Sequence, residues 1–265
     1  MTSKSKTDYA ILDRPEVVYA IFHPRAEWGA LSSKEKENSH TIAVGDGVHI
    51  GARFHLAAPD GVNILFFHGN GEIVADYDDL GPLYNKRGIN FLAADYRGYG
   101  RSNGQPTVAA MMADSHIILE YARHWLQTNA YGGPLVVMGR SLGSAPALEL
   151  AAAHADTIAG LIIESGFALA TPLLRLLGVD VARIGFNEDK GFGNLEKIRR
   201  YNGPTLIIHA QHDHIIPFSD GQSLHDASGA AKKRLLRIDH ADHNDIFYRG
   251  MDTYMQAIAD FARNL

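Results

Sequence analysis

The chain contains no cysteine, which excludes disulfides, thiolate zinc sites and a cysteine nucleophile, and fits a reducing compartment. Positive charge is not in excess either. Lys and Arg number 25 against 30 Asp and Glu, a net charge of −5, so there is no basic field to hold nucleic acid non-specifically. Long apolar runs are missing, since no stretch approaches the roughly 18 uninterrupted apolar residues of a membrane-spanning helix. The opening MTSKSKTDYAILDRPEVVYA carries lysines, but Asp8, Asp13, Arg14 and Pro15 interrupt any apolar signal region. A soluble cytoplasmic protein is the expectation. The 265 residues are 46% hydrophobic and 21% charged, enough for a sizeable core in one large α/β domain or two small ones.

Residues 1–40 are polar and mixed, with a charge cluster at Ser33–Asn38, and read as a lead-in with little regular structure. Thr41–Val48 and Arg53–Ala57 read as two strands of a hairpin turning around Gly45, Gly47 and Gly51. Short apolar segments then alternate with helical ones. Strands are expected at Val62–Phe67, Ile89–Ala94, Leu135–Met138, Ile158–Ile163, Thr205–His209 and Arg234–Ile238. Helices are expected at Asp76–Arg87, Val108–Asn129, Leu142–His154, Ser219–Ala227 and Thr253–Arg263. In Val108–Asn129 the stripe is Met111, Met112, His116, Leu119, Ala122 and Leu126 at helical spacing. The pattern predicts a mostly parallel sheet with helices on both faces. Such sheets bind ligands beyond the carboxyl ends of their strands.

Gly139-Arg140-Ser141-Leu142-Gly143 sits between a predicted strand and a predicted helix. A sharp turn there leaves no room for Cβ atoms beside the serine, which accounts for the glycines. The turn exposes the Ser141 hydroxyl and aims the first N–H groups of the helix where negative charge would develop. A serine hydroxyl needs a base and a third group to orient that base. Of the 14 histidines, His243 lies in a polar loop between the last strand and the last helix. His240 is its competitor, closer to the strand and able simply to pack there. Asp213 follows the strand ending at His209 and fits the chain order Ser, Asp, His; Glu164 is the alternate acid. Leu142 N–H, directly after the serine, is one expected oxyanion donor, and Asn70 N–H in His68-Gly69-Asn70-Gly71 is the other.

Two other patterns are set aside. Gly98, Gly100 and Gly104 have the spacing G-x-G-x-x-x-G, which fits a turn and not a dinucleotide loop. His212, Asp213 and His214 with His240 and His243 would suit a metal, but the serine turn and the glycine loop would then have no task. No metal and no cofactor is therefore expected.

HGNGE at 68–72, DYRGYGRSNGQPT at 95–107, GRSLGSAPALELA at 139–151, LIIHAQHDHIIPF at 206–218 and HADHNDIF at 240–247 resemble, in that order, the α/β-hydrolase superfamily. The likeness spans roughly residues 40–265 and is strongest to the small serine hydrolases that include abhydrolase-domain esterases and protein depalmitoylases. The resemblance implies an α/β-hydrolase fold at 41–265, with Ser141 as nucleophile, Asp213 as acid, His243 as base and Asn70 and Leu142 as oxyanion donors. It implies cleavage of a small-molecule ester or thioester. An amide or peptide hydrolase, and a catalytically silent binding protein on the same fold, are the alternatives. The depalmitoylases carry a lipidated, cysteine-rich N-terminus, and with no cysteine in this chain membrane anchoring of that kind is not carried over. Residues 166–201 interrupt the alternation and are expected to form a small lid, with Phe167, Leu173 and Leu177 lining an acyl pocket; the alternative is that these apolar residues are the ordinary core of a helix packed on the sheet.

Overall fold

In this computed structural model the described residues are 8–265, so residues 1–7 of the expected lead-in, and of the segment tested for a signal region, lie outside them. The strands are β1 (Ser39–Gly45), β2 (Val48–His55), β3 (Asn63–Phe67), β4 (Asn90–Ala94), β5 (Leu135–Arg140), β6 (Gly160–Glu164), β7 (Thr205–Ala210) and β8 (Lys233–Ile238). They form an eight-stranded sheet in the order β1-β2-β4-β3-β5-β6-β7-β8. β2 runs antiparallel to β1 and β4, and the remaining neighbours are parallel.

The register positions the site. Phe67 pairs with Gly139, Gly139 with Ile163, Ile163 with Ile207 and Ile207 with Leu235. The strands from β3 to β8 therefore end nearly level, and the loops that follow them meet along one edge.

Each central strand is apolar on both faces because both faces are covered. In β3, Leu65 and Phe67 enter one core layer with Val137, Ile163 and Ile207, while Ile64 and Phe66 enter the other with Met138, Ile162 and Ile208. The first layer is closed by α4 (Val108–Thr128) and α5 (Ser144–Ala153), through residues such as Leu119 and Leu148. The second is closed by α3 (Gly81–Asn85) and α9 (Ile246–Arg263), through Tyr84, Tyr254 and Ile258. Fully burying one such side chain contributes roughly 1.5–3 kcal/mol.

Several elements differ from the sequence reading. Residues 76–87 are not one helix: a 3-10 turn at Val74–Tyr77 precedes α3, which begins at Gly81-Pro82. Proline lacks an N–H and suits the first turn of a new helix, so it restarts the segment. The helix after Ser141 opens as a 3-10 turn over Ser141–Gly143. In α4, Met111, Met112, Leu119, Ala122 and Leu126 are buried as the stripe predicts, but Ser115 is buried in place of His116, which is only half-buried and bonds His154 and Glu149. α9 begins seven residues early, at Ile246, and kinks at Gly250.

Residues 8–40 of the N-terminal lead-in are more ordered than their composition suggests. It contains α1 (Pro15–Ile21) and α2 (Ser33–Asn38). The charge cluster is α2 itself, started by a capping box in which Ser32 Oγ accepts from Glu35 N–H and Glu35 Oε2 from Ser32 N–H. Leu12, Val17, Ile21 and Phe22 are buried in the first core layer. Asp13 accepts the Val108 N–H at 2.6 Å and so caps α4. The turn at Gly98–Gly100 holds the same segment, with Gly100 N–H donating to Arg25 O at 2.8 Å.

Of residues 166–201, α6 (Ala170–Leu176) lies beside α1, and α7 (Asn194–Arg200) packs against α5 and α8 (Phe218–Ala227). Among the described residues no helix is long and apolar enough to cross a membrane. Because Leu12 is fully buried, Leu12→Ala is expected to cost about 2–5 kcal/mol, read as a lower urea midpoint. A wild-type midpoint would remove this segment from the core.

Candidate active site

β5 carries the chain straight into Ser141, whose φ is +50°. That left-handed value is strained for a residue with a Cβ, and the neighbours hold it there. A Cβ built on Gly139 would lie 2.1 Å from Gly143 O, and one on Gly143 would lie 2.0 Å from Phe67 O. The glycines are thus required by backbone contact, as the steric reading of the motif predicted. Ser144 Oγ donates to Ser141 O at 2.6 Å and ties off the turn.

His243 Nε2 stands 3.0 Å from Ser141 Oγ, and His243 Nδ1 stands 2.7 Å from Asp213 Oδ2. The other oxygen, Asp213 Oδ1, accepts the N–H groups of Ile215 (3.0 Å) and Ile216 (2.7 Å). Burial raises the Asp213 carboxyl, but the hydrogen bond and charge of His243 and the Ile216 N–H outweigh it, so the group stays below the ordinary range and ionised. His209 supports the acid from behind. Its Nε2 donates to Ile216 O at 2.8 Å and lies 3.6 Å from Asp213 Oδ2. Burial holds its imidazole below the usual histidine range.

The two alternates lie elsewhere. His240 is exposed, with φ +59°, and its N–H donates to Gln211 Oε1; it does not pack against the strand. Glu164 is fully buried and bonds Arg140 and Tyr254. Of the possible metal cluster, His214 pairs with Asp242 and Asp213 with His243, while the His212 and His240 rings lie 6.4 Å apart.

After β3, His68 is fully buried, with Nε2 3.2 Å from Asp95 Oδ1. The Gly69 N–H is taken by Glu72 Oε2 at 2.7 Å. Asn70 Oδ1 accepts from His23 N–H and from the Tyr99 hydroxyl, and Asn70 Nδ2 meets His23 Nδ1 at 2.7 Å. The N-terminal segment is therefore fastened to the glycine loop. Arg25 repeats the link by donating to Gly71 O at 3.1 Å and pairing with Asp76.

Gly69, Asn70, Ser141, Leu142 and His243 border one cavity of about 260 Å³. Phe167, Leu173 and Leu177, singled out in the sequence, line it together with Leu174 and Phe192. Ile21 and His23 also line it. They escaped the sequence reading, although Val17 and Ile21 at i, i+4 within Leu12–Phe22 carry a short amphipathic signal.

Arg140, hidden in the variable position of the serine motif, was also missed. Its guanidinium donates to Glu72 Oε1 (2.9 Å), Glu164 Oε1 (2.6 Å) and His243 O (3.0 Å). Burial raises the Glu72 carboxyl, but the Arg140 charge and the bonds from Tyr77 and Arg140 outweigh it and bring it down to about 2.

A human protein, α/β-hydrolase domain-containing protein 17B, is 30% identical over 252 residues, covering 89% of this chain and 79% of that protein. The chain belongs to the α/β-hydrolase superfamily. Protein bem46 of Schizosaccharomyces pombe is 30% identical over 75% of this chain and 66% of its own length. The serine aminopeptidase S33 family of hydrolases matches residues 58–183. An esterase of Pyrococcus furiosus superposes with a TM-score of 0.71 at 17% identity, over 91% of this chain and 98% of the esterase. That likeness shows the fold, an α/β-hydrolase sheet as expected from the motifs. Membership makes the chain a hydrolase of that fold.

Two outcomes follow from the local geometry. Gly143→Ala forces a methyl group onto the Phe67 carbonyl and is expected to lower stability by more than about 3 kcal/mol; thermal unfolding at the wild-type temperature would refute the contact. Glu72 has a folded value near 2 against an ordinary 4.5. Its stabilising contribution is complete above about pH 4.5 and is lost as pH falls toward 2. Acid unfolding of Glu72→Gln should accordingly be shallower than wild type across that window, and an equal slope would contradict the ion pair.

Proposed function

We propose that this hydrolase cleaves carboxylic esters or thioesters of a small-molecule acyl substrate, with Ser141 as nucleophile. The observation that carries the reading is the unbroken path Ser141 Oγ, His243, Asp213 at 3.0 and 2.7 Å, opening on an apolar cavity. Ser141 Oγ attacks the acyl carbonyl while His243 Nε2 takes its proton. The carbonyl electrons move onto oxygen, which accepts from the Leu142 and Asn70 N–H groups. The Gly69 N–H is committed to Glu72, so Asn70 is the donor that the glycine loop has left to offer. The tetrahedral adduct collapses, His243 passes the proton to the departing alcohol or thiol, and Ser141 keeps the acyl group. Water, deprotonated by His243, then releases the acid. Asp213 orients the imidazole and stabilises its cation.

Residues 166–201 act in this reading as a small cap. Phe167, Leu173 and Leu177 hold the acyl chain from that side, and Ile21 holds it from the other. Amide cleavage is the second reading, prompted by the aminopeptidase family that matches residues 58–183. Recognition of a free α-amino group calls for an available carboxylate. Glu72 is the acidic residue lining the cavity among the described residues, and it is already engaged by Arg140, Tyr77 and the Gly69 N–H. The lining thus favours an acyl group.

Ser141→Ala is expected to lose labelling by a fluorophosphonate probe and at least about 10,000-fold in ester turnover. Persistent turnover by that variant would sink the assignment. A panel of p-nitrophenyl acyl esters, acyl thioesters and aminoacyl amides ranks the chemistries. Leu173→Trp should move the preferred ester toward shorter acyl chains, and an unmoved optimum would take the acyl chain away from this wall.

A further inference from the structure

The guanidinium of Arg140 joins three separate parts of the site, each brought to it by a different strand. Arg140 itself is the residue before the candidate nucleophile and is almost wholly buried. One nitrogen reaches Glu72, whose other oxygen accepts the Gly69 N–H and the Tyr77 hydroxyl. A second reaches Glu164 at the end of β6, which Tyr254 secures from below. The third donates to the backbone carbonyl of His243. We propose that Arg140 is a positioning residue that sets the spacing between the Ser141 turn, the Gly69–Asn70 loop and the His243 loop. The proposal rests on the serine-hydrolase reading for what that spacing achieves.

The chemistry of the side chain supports the assignment. A planar fork can address three acceptors in fixed directions, whereas a lysine ammonium presents a compact point charge. Buried ion networks are often replaceable by apolar groups without loss of stability, so stability alone does not account for this one. Its endpoints do. They are the residue before Asn70, the main chain of His243 and the peptide leading into Ser141, whose relative positions decide attack geometry. A shift of about 1 Å between such parts costs on the order of 100-fold in rate.

The test compares wild type, Arg140→Lys, Glu72→Gln and the remote variant Leu126→Ala, a buried residue in the last turn of α4. Ester kinetics and amide hydrogen exchange are measured on each. Arg140→Lys is expected to lower kcat about 100-fold with KM changed less than about threefold. Exchange should quicken at residues 69–73 and 240–245. Glu72→Gln keeps an acceptor for the Gly69 N–H but loses the ion pair. It should show a smaller fall in kcat, with faster exchange at 69–73, and it covers the case in which the Arg140 variant does not fold. Leu126→Ala should lose stability while its folded fraction keeps kcat. Wild-type kcat in Arg140→Lys, or exchange in both site variants no faster than in Leu126→Ala, would overturn the proposal. If wild type turns over no ester, the reaction assignment fails, and exchange at 69–73 and 240–245 still decides whether Arg140 holds the loops.

Discussion

The close approach of Gly143 to the Phe67 carbonyl, where a methyl carbon would come within 2.0 Å, is the contact on which the site depends. β3 and β5 are parallel neighbours with Phe67 level with Gly139. A side chain at 143 would force the serine turn away from the end of β3, and with it from the glycine loop that follows. Parallel strands alone bring their ends to one edge. They do not by themselves bring the serine turn against the glycine loop that follows β3. That needs a turn without Cβ atoms, and the strained φ of Ser141 is its companion cost.

Once the loops meet, their charges have to be neutralised away from water. A buried ion is tolerated only with partners. The edge meets this condition by sharing: Arg140 answers both Glu72 and Glu164, and Asp213 answers His243 and two N–H groups. Asp95 meets His68 and the Val74 N–H in the same way. Removing one member leaves the others uncompensated, so the polar floor of the cavity is coupled while its apolar wall is replaceable piece by piece.

This division also explains what could be read in the chain. The strands announce themselves because both their faces are buried, and the serine turn because sterics demand glycine on either side. Asp213 and His243 follow from the ends of the last two strands. Phe167, Leu173 and Leu177 are apolar where the strand and helix alternation lapses, which marked them as wall. Arg140 carries no local signal, since its partners lie 68, 24 and 103 residues away. For the same reason Glu164 could be mistaken for the orienting acid: a carboxylate at a strand end looks the same whether it serves an imidazole or a guanidinium. The N-terminal strap was obscured by the shortness of α1, seven residues, too few for a sustained period.

The N-terminal segment also constrains residues 166–201. α6 lies beside α1, and Arg14 Nη1 donates to Ile184 O at 3.0 Å, joining the start of α1 to the stretch after α6. Ile21 lines the cavity, while His23, two residues beyond the end of α1, bonds Asn70. Displacing residues 170–184 outward therefore either breaks the Arg14 contact or pulls on α1. A pull on α1 reaches the Asn70 side chain through His23. The apolar wall of the cavity and the loop that carries Asn70 are in this way mechanically linked. In the proposed reaction, a substrate that fits the wall poorly would disturb the loop as well, so fit along the acyl chain would be converted into rate at the carbonyl as well as affinity.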